Sequence, residues 1–133
     1  MRTSEKLVVG NVYTRQVLKE LFSIKDATIN NGIFRPKGHD SIWLFITEEK
    51  TPDKPQYVDC LQGEDLHMDG QGSGRTDERL IQHESDGLEL ILFHRKHKNE
   101  HPDCGFRYEG KFQYIDHRGL RPAHFHLRRV CQP

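Results

Sequence analysis

The sequence predicts an α+β fold: a mostly antiparallel, curved sheet or partial barrel carrying an N-terminal helical pair. Three observations predict it. Apolar residues alternate through Leu88, Leu90 and Leu92 and again through Phe106 and Tyr108, the period of strands with one buried face. The run SIWLFIT is apolar on both faces, as a central or covered strand should be. Ahead of these, TRQVLKELF spaces Val17, Leu18, Leu21 and Phe22 for one helix face behind the N-cap Thr14.

Met1 to Val9 reads as a short strand or loose arm, and Gly10-Asn11 as a turn. After the first helix, Asp26 can cap a second short helix, ATINN, which Gly32 is placed to end. Two short helices joined tightly also form a helix-turn-helix pattern, with Thr28, Asn30 and Asn31 toward bases; a helical hairpin packed on a sheet is the structural alternative. IFRPKGHD cannot be helix through Pro36 and Gly38, and it presents Arg35, Lys37 and His39 at a turn. TEEKTPDKPQ is a loop, and YVDCL a strand with Tyr57 and Asp59 on one side. A glycine-rich loop follows from Gln62 to Asp77. RLIQHES reads as a strand, Asp86-Gly87 as a hairpin turn, LELILFHRK as a long strand, FRYEGKFQYI as a strand bent at Gly110, and AHFHLRRV as the last strand. The 133 residues suit one domain, with a helical lead-in over 11–32 and the sheet over 33–130.

Composition narrows the function classes. Net charge is zero, which argues against a protein that coats DNA by charge alone. The charge is uneven: acids lead bases twelve to four from Glu48 to Glu89, and bases lead nine to four thereafter, where six of the nine histidines also lie. One basic face with an acidic back is therefore open. No apolar run is long enough to span a bilayer and the start has no secretory apolar region, so a cytoplasmic location without membrane partners is expected. Cys60, Cys104 and Cys131 are odd in number and lack CxxC spacing, as expected of isolated thiols.

The glycine loop lacks Walker spacing. Glycines at this density let backbone N–H groups approach an anion, and Arg75 adds a planar fork suited to phosphate or guanine. His124 and His126, two apart on a strand, share a face, yet no third metal ligand is fixed by spacing. His67, Asp69, His83 and Glu84 could form a hydrolytic site, although nothing in their spacing requires it. Glu89 is followed two residues on by Ile91 rather than by a lysine, so an acid-x-lysine nuclease core is incomplete; Asp86 and Glu89 read as solvated. Trp43, Tyr57, Phe106, Tyr108 and Tyr114 could line a pocket for a flat ring, with Asp59, Asp69 or Gln71 reading a cytosine edge; filling the core is the alternative.

From Asn11 to Arg128 the ordered motifs VYTRQVLKELF, DATINNGIFRPKG, SIWLF, SGRTD, LFHRK and FRYEGKFQY resemble a bacterial domain of unknown function. That domain stands at the C-terminus of restriction helicase–nucleases and beside HNH endonucleases, and is related to the SRA and EVE group of PUA-like barrels. The hallmark elements match Gln71–Thr76, Leu92–Arg95, Gly110–Tyr114 and His117–Gly119. The resemblance implies a duplex-DNA reader in a restriction-type defence system, inspecting for 5-methylcytosine or a similar base by flipping it out. DNA contacts are then expected from Arg35, Lys37, His39, Gln71, Ser73, Arg75, Thr76, Arg107 and Arg118. The base pocket is expected from Trp43, Tyr57, Asp59, Asp69 and His101. No cofactor, metal or catalytic residue is implied. Implied partners are modified double-stranded DNA, a nuclease fused or separately encoded, and a second copy in a homodimer. Departures from the pattern fall at Met68 and His101, where aromatics are common in the family. The alternatives are a small metal-dependent restriction endonuclease, a helix-turn-helix regulator, and a phosphorothioate-DNA reader using His101-Pro102 and Cys104.

Overall fold

The computed structural model describes residues 2–26, 29, 32–49, 59–70, 76–119 and 123–130. Among these, eight strands form one curved, mixed sheet: β1 (Val12–Tyr13), β2 (Ile33–Phe34), β3 (Ser41–Thr47), β4 (Cys60–Gln62), β5 (Asp65–Asp69), β6 (Glu89–Arg95), β7 (Phe106–Arg118) and β8 (His124–Arg129). Their order is β2-β3-β6-β7-β8-β5-β4, with β1 paired to the start of β7. Two short helices, α1 (Arg15–Leu21) and α2 (Asp77–Ile81), complete the expected α+β class.

Pairing is antiparallel except at the centre, where β3 and β6 run parallel over seven matched positions from Ser41↔Glu89 to Thr47↔Arg95. Parallel neighbours need a long crossover, and residues 48–88 supply it, carrying β4, β5 and α2 on the way. Both central strands are buried on both faces. Ile42, Leu44, Ile46, Leu90 and Leu92 join one core with Leu66, Met68, Phe112, Phe125 and Leu127. Trp43, Phe45, Ile91 and Phe93 join the other, beneath α1, with Leu18, Phe22, Phe106 and Tyr108.

Thr14 caps α1 as expected, its hydroxyl accepting from Val17 N–H at 3.0 Å. The helix is shorter than its apolar spacing suggests. Leu18 and Phe22, one turn apart, are buried, whereas Val17 and Leu21 stay exposed because the helix touches the sheet along one narrow line. The expected second helix, ATINN, lies mostly outside the described residues. The N-terminal segment is neither strand nor loose arm. It is a 3-10 turn, Thr3–Lys6, locked to the sheet. Thr3 Oγ1 accepts from the Trp43 indole at 2.9 Å, and Glu89 takes hydrogen bonds from Ser4 Oγ and Ser41 Oγ, each at 2.6 Å. Glu89 is thus a buried, satisfied carboxylate rather than the solvated group the sequence suggests.

RLIQHES is not a strand: Asp77–Ile81 is helix, with Asp77 and Glu78 favourably placed in its first turn, and turns continue to Gly87. Gly87, at φ 72°, therefore turns the chain from a helix into β6, not through a hairpin. β7 bends as expected at Gly110, whose φ is 94°. The register with β6 shifts there, so Glu109 is an extra residue. A second shift against β8 lies between Tyr114 and Asp116. Cys60 and Cys104 are free thiols.

Candidate nucleic-acid interface

The second bulge assembles the most distinctive surface in the described part of the molecule. Tyr114 stands opposite Leu127, but past the extra residue Ile115 it is Asp116 that faces His126 and Arg118 that faces His124. One inserted residue flips the parity of β7, since side chains alternate faces with period two. Without it Asp116 would point toward the Phe125 side. β5 continues the rows on the other flank of β8, with Asp69 opposite His124 and His67 opposite His126. The solvent face thus carries two cross-strand rows, Asp69–His124–Arg118 and His67–His126–Asp116.

These groups are in contact. His124 Nδ1 lies 2.9 Å from Asp69 Oδ1, and His126 Nε2 lies 2.9 Å from Asp65 Oδ1. The ring of His67 stacks against His126 at 4.7 Å and His124 at 5.8 Å, each tilted by only 15°. Bonds from His126 and Arg128 hold the Asp65 carboxyl below its usual range. A cleft of about 320 Å³ opens here, bounded by His67, Asp116, His117, Arg118, His124 and His126. His117 sits at its rim, its Nδ1 2.5 Å from the Tyr114 hydroxyl.

The glycine loop is rooted beside this cleft. Gly70 N–H donates to Ala123 O at 2.8 Å, directly before His124. A Cβ on Gly70 would meet Asp77 Oδ1 at 2.7 Å and Phe125 Cε2 at 2.9 Å, so only glycine fits without displacement. Thr76, where the described chain resumes, is buried, and its hydroxyl has no hydrogen-bond partner among the described residues. Gln71, Ser73 and Arg75 lie outside the described residues, as does Tyr57.

The other expected contacts do not gather in one place. Arg35 and Lys37 are exposed in the turn between β2 and β3, with His39 packed edge-on to Phe22 at 5.7 Å. This edge is separated from β8 by β3, β6 and β7. Arg107 is half-exposed and paired to Glu109 at 3.3 Å. It stands near the opposite end of β7 from Arg118, up to about 36 Å away along an extended strand. Arg107 and His101 line a second cleft of about 330 Å³ with Glu48, His94, Lys96 and Arg129. There His94 is paired with Glu48 at 2.5 Å. Asp59 and Asp69 are brought together, the Asp59 carboxylate accepting from Asp69 N–H at 3.1 Å.

Trp43 is a correction. It is completely buried among Phe22, Phe34, Phe45 and Phe93, with its indole N–H satisfied by Thr3, so it offers no face to a base. Phe106 and Tyr108 are equally buried, and Met68 points into the core rather than a pocket. Much of the basic surplus after residue 90 also serves the fold. Arg95, in the motif Leu92–Arg95, is buried over the Phe106 ring at 4.0 Å, donating to Thr47 Oγ1 and Cys104 O. Arg129 donates to the Glu109 carbonyl and carboxylate. The grouping of His67, Asp69, His83 and Glu84 does not form, because His83 is buried elsewhere with both nitrogens engaged. Its Nε2 accepts from Tyr114 N–H at 3.2 Å, which leaves Nδ1 to donate to Leu88 O at 2.9 Å. Of the residues lining the cleft, only Arg118 is expected from the sequence to contact DNA; His67, Asp116, His117, His124 and His126 are not. The alternation in DLHMD marks His67, but nothing local marks the bulge that turns Asp116 outward.

No family model matches the chain, and no curated protein matches it. Among solved structures, its fold is similar to that of a modification-dependent TagI restriction endonuclease, with a TM-score of 0.54 and 18% identity. The match covers 94% of this chain and 50% of that one, so this chain spans about half the length of its structural neighbour. At this identity the likeness is one of fold.

Proposed function

We propose that this chain is a DNA-binding domain that recognises a modified base, 5-methylcytosine or a close relative, in a restriction-type system. The observation that carries the reading is the cleft beside the root of the glycine loop, set in a fold shared with half of a modification-dependent restriction endonuclease. Arg118 and the loop arginine Arg75 contact phosphates or fill the gap left by an extruded base. Phosphate contacts position the protein, and the base itself supplies the discrimination. Asp69 and Asp59, adjacent at the loop's root, accept from the exocyclic amine of cytosine. Stacking falls to the rings at the cleft, His117 and His67, because Trp43 is sealed. The curved, mixed sheet supports the SRA and PUA-like kinship that the ordered motifs imply.

The test is binding to matched duplexes, plain and carrying 5-methylcytosine or 5-hydroxymethylcytosine, at about 0.15 M salt, because affinity without a salt concentration means little. At least tenfold tighter binding to one modified duplex is expected, with the preference lost in Arg75→Ala. Equal affinity for all three duplexes, unchanged by Arg75→Ala, overturns the reading. Clean cutting of plasmid by the purified chain with Mg²⁺ or Mn²⁺ replaces it with an endonuclease.

A further inference from the structure

The stacked histidines have a chemistry that base recognition does not use. Their nitrogens do not converge as metal ligands do. The rings lie nearly parallel, His124 and His126 turn a nitrogen toward Asp69 and Asp65, and no metal-holding group of three such side chains occurs among the described residues. The charged and titratable groups facing them are Asp59 and Cys60 from the β4 side, Asp65 and Asp69 on β5, Asp116 and Arg118 on β7, and Arg128 on β8, with Tyr114 and His117 at the cleft's edge on the Phe125 side of β7. With neutral imidazoles, four carboxylates outnumber two guanidiniums among these described residues, and the face repels a polyanion. Imidazole is the side chain that ordinarily titrates between pH 5 and 8. Protonating His67, His124 and His126 reverses the sign of the face.

We propose that this face binds the phosphate backbone of duplex DNA through protonated imidazoles, so that the grip tightens as pH falls from 8 to 6. The inference rests on the reading of the chain as a DNA-binding domain and adds which phosphate contacts are switchable. The geometry suits it. Two histidines two residues apart on β8, a third directly across on β5 and Arg118 alongside form a flat cationic patch bordering the cleft. Protonated imidazoles have donors on both nitrogens; His126 spends its two on Asp65 and, at 3.8 Å, Asp116, while the nitrogen of His124 not taken by Asp69 and those of His67 are left for phosphate oxygens.

Fluorescence anisotropy with a plain and a modified duplex, at pH 6.0 and 8.0 and several salt concentrations, reads this out. Affinity for both duplexes should rise about tenfold or more at pH 6.0, with the salt dependence steeper by roughly two counterions. The triple variant His67→Gln, His124→Gln, His126→Gln should flatten the pH dependence. Arg118→Ala should instead weaken binding at both pH values and leave their ratio intact, which separates loss of a permanent charge from loss of a switch. A native protein with no gain at pH 6.0, or a folded triple variant that keeps the full gain, overturns the proposal. The ratio of modified to plain affinity at pH 8.0 tests base recognition on its own. A ratio of one with the pH gain intact removes the modified-base reading and leaves the imidazole face standing as a polyanion site.

Discussion

The two halves of the sheet obey different rules. In β3 and β6 every position is buried or nearly so, because α1 and the N-terminal turn cover the outer face while the curl of the sheet covers the inner one. In β5 and β8 burial alternates: Leu66, Met68, Phe125 and Leu127 point inward, while Asp65, His67, Asp69, His124 and His126 face outward with no helix over them among the described residues. One layer of protein makes the difference. A covered strand is committed to packing, and its large rings cannot also be a binding surface. An uncovered strand keeps one face available for chemistry at little cost to stability.

Three measurements can break or sharpen that contrast. The largest effect is expected in the covered half. Trp43→Ala removes a fully buried indole and leaves Thr3 Oγ1 without its donor, so denaturant unfolding should show a loss of about 3–5 kcal/mol. A loss below 1 kcal/mol would mean that the outer core is not packed as described. An intermediate effect is expected at the boundary. Gly70→Ala presses a methyl group onto the Phe125 ring and should cost about 1–3 kcal/mol, while also displacing the root of the glycine loop and weakening DNA binding. The smallest effect is expected on the uncovered face and depends on pH. Asp65 is held below its ordinary range by His126 and Arg128, so its stabilisation is present above about pH 4, its ordinary unfolded range, and fades as pH falls through the lower folded value. Thermal melts of Asp65→Asn should lie slightly below those of the native chain near neutral pH and converge with them under acid. A gap that persists at pH 2 would assign the difference to packing.

Much of this architecture was legible, and the reasons are local. SIWLFIT announces a strand with two apolar faces, Thr14 announces a helix start, and Gly110 in an otherwise regular strand announces a bend. What was hidden is non-local. Nothing in residues 41–47 states that their neighbour is Glu89–Arg95 running the same way. RLIQHES has the apolar content of a short strand, and its helix depends on where Leu80 meets the core. At the candidate site, Asp69, Arg118 and the paired histidines were visible as residue types. Their assembly depends on one extra residue, Ile115, whose effect emerges only when two strands are laid side by side. Trp43 misled because an aromatic in a strand reads the same whether it fills a core or lines a slot. The indole is decided by Thr3, forty positions away in sequence.

The parallel centre also governs how the chain reaches this state. Hairpins such as β4–β5 and β7–β8 can zip soon after their residues meet, but β3 waits for a partner that arrives only after a closure of roughly forty residues. Until then it presents an unpaired, apolar edge, the kind of surface that seeds association between nascent copies. Slow refolding and a narrow concentration window for recovery from denaturant are the expected signature, with yield set by how quickly β6 reaches its seat rather than by the final stability.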